Sequence, residues 1–161
     1  ASICVNGSHI TQGTVKLNDT YFDTSTYNTP AWRQFVACQE IGHTFGLAHQ
    51  DENFNNANLG TCMDYTNDPG GTLYNQLSNR HPNTHDFNQL GTIYAHLDTT
   101  TTAFSKISSQ AASDIDTSNA SEWGKAIRKS ADGRTVLHER DLGKEQKLFT
   151  FVIWADEGGT K

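Results

Sequence analysis

A chain of 161 residues with 35% hydrophobic and 19% charged side chains is long enough for one hydrophobic core and a small appendage, and too short for several large domains. Its net charge of −6, with basic residues scattered except around Lys125, Arg128 and Lys129, lacks the footprint of a nucleic-acid or anionic-membrane binder. No apolar run is long enough to span a bilayer and no signal-like segment opens the sequence, so neither nucleic acid nor membrane is expected as a partner.

The chain starts on Ala1 and enters a strand-like pattern at once, which suits a piece of a longer precursor; an upstream segment is therefore an expected partner. Abundant Asn, Thr, Ser and Gly, sparse lysine, and Asn-x-Ser/Thr triplets at Asn6, Asn18 and Asn119 fit a secreted, extracellular protein. The three cysteines, Cys4, Cys38 and Cys62, allow at most one internal disulfide. Within residues 2–22, "SICV" and "GTVKLNDTYF" are bounded by Gly and Asn and read as strands, followed by the loop "DTSTYNTP".

From Ala31 the pattern changes. Trp32, Phe35, Val36, Gln39, His43 and Leu47 recur at helical spacing after Pro30, which predicts a helix. On such a helix His43 and a residue four positions earlier share a face, where two ligands can meet one Zn²⁺ while the intervening Glu40 points at water. Gly46 can adopt the left-handed conformation that ends the helix and returns the chain, bringing His49 to the same place. Glu40, His43, Gly46 and His49 thus match HExxHxxGxxH at every fixed position except the first, which is Gln39. A neutral amide is a weaker zinc ligand than imidazole, so Gln39 reads either as a weak ligand or as a substitution that ends metal binding.

Residues 50–84 are polar and lack a periodic apolar pattern, which predicts irregular loop and turns. Their stretch "QDENFNNANLG" could take Ca²⁺, but it lacks the spacing of a calcium loop and reads as a solvated turn region. His81 and His85 read as loop and N-cap-region residues, with either available to replace the missing imidazole if the loop folds back. Residues 85–97 restore helical periodicity through Phe87, Leu90, Ile93, Tyr94 and Leu97. A Thr/Ser-rich connector follows, and the tail alternates through "ADGR" and "DLGKEQ" as a three-stranded antiparallel meander. Its apolar face is read as Ile127, Leu137 and Val152, and three such strands bury too little alone, so the meander should dock on the rest of the chain.

The segment "CQEIGHTFGLAHQD" resembles the active-site helix of the metzincin zinc endopeptidases. "TCMDYTND", with the only methionine, Met63, is similar to that family's methionine turn in its astacin and serralysin form. The resemblance covers roughly residues 13–98 and leaves only 30 residues before the helix for the family's upper subdomain.

It implies an α+β fold: a zincin catalytic half of short strands, active-site helix, methionine turn and C-terminal helix over residues 1–98, a connector at 99–122, and a small antiparallel β appendage at 123–161. It also implies a zinc cofactor held by His43, His49 and Gln39, with Glu40 as general base, Tyr65 stabilising the oxyanion and Met63 beneath the metal. The implied activity is hydrolysis of peptide or protein substrates. The alternative is a catalytically weak or inactive binding protein that keeps the cleft. A Cys38–Cys62 bridge would staple the helix to the methionine turn, and spacing alone does not decide that pairing.

Overall fold

The computed structural model describes residues 1–96 and 115–155, which form an α+β fold of one five-stranded antiparallel sheet and three helices. Strands β1 (Ser2–Asn6) and β2 (His9–Thr14) make a hairpin through Gly7, whose positive φ of 57° suits a residue without a Cβ. The β-branched alternation stops at Thr14. The expected strand over residues 13–22 is replaced at its end by the short helix α1 (Asp19–Phe22), because the Asn18 side chain accepts from Thr20 N–H and Asp19 occupies the first turn.

Helix α2 (Pro30–Thr44) begins where the sequence predicts it: the Thr29 hydroxyl accepts from Trp32 N–H, and Pro30 fills a first-turn position that needs no donor. Helix α3 (Thr84–Ile93) is held by a reciprocal cap between Asn83 and Asp86. It is shorter than expected, ending at Ile93, with Tyr94 at its C-cap and Leu97 outside the described residues. Its apolar side, with Leu90 and Ile93, packs on a core formed by Phe35, Leu47, Cys62 and Met63. Full burial of side chains of this size contributes about 1.5–3 kcal/mol each. Gly42 is required there, since a Cβ at that position would lie 2.6 Å from Met63 Sδ.

The polar stretch between the two long helices has little regular structure but is tied down by its own Asn and Asp side chains. Asp68 accepts from the backbone of Thr72 and Leu73, Asn79 accepts from Gly60 and Thr61, and Asn58 donates to the carbonyls of Asp68 and Leu77. Among the described residues no group of three or more His, Cys, Asp or Glu is placed to hold a metal there or elsewhere.

Most of the connector lies outside the described residues; its end, Ala120–Glu122, is a 3₁₀ turn. The tail forms β3 (Lys125–Lys129), β4 (Thr135–Gly143) and β5 (Gln146–Phe151), and β5 pairs with β1, giving the sheet order β2-β1-β5-β4-β3. The meander therefore docks by extending the first hairpin's sheet. Its buried apolar residues are Val136 and Leu148, whereas Leu137 and Val152 are half-buried and Ile127 is 46% exposed, contrary to the face read from the sequence. The reason is an irregular register: Ala126 opposes His138 and Arg128 opposes Leu137, so Ile127 is the extra residue of a bulge and the facing of the strand changes around it. No helix among the described residues is long and apolar enough to cross a membrane.

Candidate functional site

Helix α2 buries Gln39, Glu40 and His43 on one side. After Phe45 the chain turns on Gly46, whose φ is +88°, and Leu47 N–H returns to the Gly42 carbonyl. The returning segment runs beside the turn that carries Met63: Gln50 N–H donates to the Met63 carbonyl, Tyr65 N–H donates to the Asp51 carbonyl, and Asp51 and Asp64 form an isolated parallel bridge. The Cys38–Cys62 disulfide joins α2 to the same turn, and Cys4 is a buried free thiol.

These constraints bring His43 and His49 together, with 2.9 Å between their Nε2 atoms. His43 Nδ1 lies 2.8 Å from the Leu47 carbonyl and His49 Nδ1 lies 2.8 Å from Glu52 Oε1. A carbonyl accepts only, and so does a carboxylate, which the hydrogen bond from His49 holds ionised below the usual range. Both Nδ1 atoms therefore carry the proton. Burial pushes both imidazoles below their ordinary pKa, so they are neutral and their two Nε2 lone pairs face one another. Lone pairs at that distance repel unless they share a proton or both turn toward a cation off the line that joins them, since a Zn–N bond of about 2.0–2.1 Å leaves no room on it.

Gln39, one helical turn before His43, is fully buried, and neither its amide oxygen nor its nitrogen has a hydrogen-bond partner among the described residues. A buried orphan amide costs about 1–3 kcal/mol, which a ligand at its oxygen would relieve. Two imidazole lone pairs and, one helical turn away, an orphan amide oxygen are donor types that zinc accepts, although the amide is the weakest of them. His81 bonds Gln34 instead, and His85 is an exposed first-turn residue of α3.

This chemistry can be tested through Gln39 alone. Gln39→Met keeps the length of the side chain and removes both orphan atoms, so the zinc-free protein should gain about 1–3 kcal/mol of stability. The same variant should bind zinc more weakly, whereas Gln39→His should tighten it at least ~tenfold, about 1.4 kcal/mol. Thermal melts with and without chelator, beside a zinc competition titration, read both effects. Zinc affinity unchanged in both variants would remove Gln39 from the ligand set.

A cleft of about 840 Å³ has walls that include Tyr27, Trp32, Phe54, Trp123 and Trp154, with Glu40 and Tyr65 on its lining; Gln39, His43 and His49 do not line it, and the two histidines touch it only through Tyr65 and Phe151. Glu40 is 4% exposed, and the Ala1 nitrogen contacts its carboxylate and the Phe151 carbonyl. Tyr65 packs against His49 with ring centroids 4.6 Å apart. Its buried hydroxyl has no hydrogen-bond partner among the described residues, and burial raises its pKa so that it remains a neutral donor. Phe151, also on the cleft wall, stacks on His43 at 4.2 Å and 10°.

Sequence reasoning missed Glu52, Arg128 and Phe151. Glu52 follows His49 by three residues inside a stretch that reads as solvated turn, while Arg128 and Phe151 arrive from the tail, where no local signal points to the histidines. No protein-family model, curated protein or solved structure matches this chain.

Proposed function

We propose that this chain is the catalytic part of a secreted, metzincin-like zinc endopeptidase that hydrolyses peptide bonds in peptide or protein substrates. The observation that carries the reading is the meeting of the His43 and His49 lone pairs at 2.9 Å, one turn of α2 from an orphan Gln39 oxygen and beside a cleft that holds Glu40. His43, His49 and Gln39 would hold the metal. Zinc, when bound, polarises a carbonyl and acidifies water.

The chain's own residues account for the proton transfers. Glu40, on the cleft wall, takes a proton from the attacking water and delivers it to the leaving amine, so that one water is consumed and one acid and one amine are formed. The Tyr65 phenol, kept protonated by its surroundings, donates to the oxygen on which negative charge develops. Met63, buried next to Gly42, forms the floor. The Cys38–Cys62 bridge suits an oxidising, extracellular compartment.

A second reading, a binding protein that has kept the cleft without hydrolysis, is favoured by Phe151 lying flat on His43 and by an amide in place of a third imidazole. Elemental analysis of the purified protein and hydrolysis of an unfolded polypeptide with and without chelator separate the two. The enzyme reading expects one zinc per chain and cleavage that the chelator stops. A folded, zinc-free protein that cleaves nothing even after zinc is supplied leaves the binding reading.

A further inference from the structure

His49 does not hold its orientation alone. Its Nδ1 faces Glu52 Oε1 at 2.8 Å, and the same oxygen takes Arg128 Nη2 at 3.1 Å. Arg128 belongs to β3, so the tail reaches an imidazole 79 positions away in sequence, through the Glu52 carboxylate; Arg128 Nη2 also lies 3.5 Å from His49 Nδ1, a contact that cannot be a hydrogen bond while Nδ1 carries the proton. The His49 side chain is 1% exposed, that of Glu52 19% and that of Arg128 33%. The ring and its acceptor are thus largely withdrawn from competing water. Unlike His43, whose Nδ1 is satisfied by a backbone carbonyl of its own helix end, His49 depends on a side chain that can itself rotate.

We infer that Glu52 and Arg128 are positioning residues for the histidine pair: Arg128 holds the Glu52 carboxylate against His49 Nδ1, which keeps the proton there and leaves Nε2 free to ligate a metal. The tail meander would then be part of the metal site without supplying a ligand. The physical reason is that an imidazole ligates through one nitrogen only when the other carries the proton, and an ionised carboxylate both selects that tautomer and raises the basicity of the ligating atom. A bidentate-capable guanidinium fixes the carboxylate's direction better than a mobile ammonium would. This inference rests on the zinc reading of His43 and His49 given above.

The test uses the whole 161-residue chain, a zinc competition titration, and ¹⁵N-imidazole NMR of the zinc-free protein, with melts to establish that each variant folds. Glu52→Ala should weaken zinc binding by about 10- to 100-fold, the range for loss of a partner to a ligating histidine. Glu52→Gln, which keeps an acceptor oxygen, should recover part of that loss. Arg128→Ala should weaken binding by less than Glu52→Ala, and Arg128→Lys should be closer to wild type. In the NMR experiment His49 should be protonated at Nδ1 in wild type and should populate the other tautomer in Glu52→Ala, while His43 stays unchanged.

Wild-type zinc affinity in folded Glu52→Ala and Arg128→Ala overturns the inference and leaves the zinc reading standing. If wild type itself binds no zinc, the zinc reading fails, and the tautomer of His49 still decides whether Glu52 positions the ring. An Nε2-protonated His49 in wild type overturns the inference whether or not zinc binds.

Discussion

Glu40→Gln is expected to lower peptide hydrolysis by roughly 10²–10⁴-fold while zinc remains bound. The substitution keeps size and shape and removes the group that can accept a proton from water. Glu40 is buried on the cleft wall, on the same helix as His43, yet it makes no contact with the two imidazoles among those described; its carboxylate faces the Ala1 nitrogen. The loss should therefore fall on kcat, with KM nearly unchanged, as expected when an interaction is made only in the transition state. His43→Ala and His49→Ala should behave differently and lose the metal together with activity. Steady-state kinetics combined with zinc content distinguishes these outcomes, and equal metal loss in all three variants would make Glu40 a ligand or a structural residue.

Removal of the Cys38–Cys62 bridge is expected to destabilise the protein by about 3.5 kcal/mol. The bridged residues are 24 positions apart, and the unfolded chain regains the freedom of that loop when the crosslink is absent. For a chain of this length the loss corresponds to a fall of roughly 7–14 °C in melting temperature. The consequence for the site is direct, because the bridge fixes α2, with Gln39, Glu40 and His43, to the turn that carries Met63 and Tyr65. Cys38→Ala/Cys62→Ala should lose zinc affinity as well as stability. Melts of this double variant under oxidising conditions check the first effect, and a shift below about 2 °C would show that packing around Met63 holds the turn without the crosslink.

The parts of the fold that the sequence made readable are those whose signals are local. Pro30 and the apolar spacing after it announce the start of α2, Gly46 announces its end, and the periodicity through Phe87, Leu90 and Ile93 announces α3. The pair His43 and His49 was readable for the same reason, since one helical turn and one left-handed glycine are enough to bring them together. Asn18 was a local signal overlooked, because an apparent β-branched run on either side concealed an N-cap. The buried face of the meander was not readable, because the single extra residue Ile127 shifts the register and nothing in its immediate neighbours marks a bulge. Glu52, Arg128 and Phe151 were unreadable for different reasons. Arg128 and Phe151 reach the histidines through a tail whose β5 pairs with β1, a contact that no window of sequence contains, whereas Glu52 meets His49 only three residues away but inside a stretch that reads as solvated turn.

That pairing also sets a timetable. Ser2 and Thr150 hydrogen-bond across 148 positions, so two neighbouring strands of the sheet, β1 and β5, are made far apart in time. At synthesis rates of about 5–20 residues per second, Ser2 waits roughly 7–30 s for its neighbour to be made. During that interval β1 offers an unpaired edge, and long-range pairing of this kind is slow even after the chain is whole. Arg128 is made 79 positions after His49 and Phe151 later still, so the residues that surround His43 and His49 from the tail are synthesised after the helix that carries His43 and the crosslinked turn.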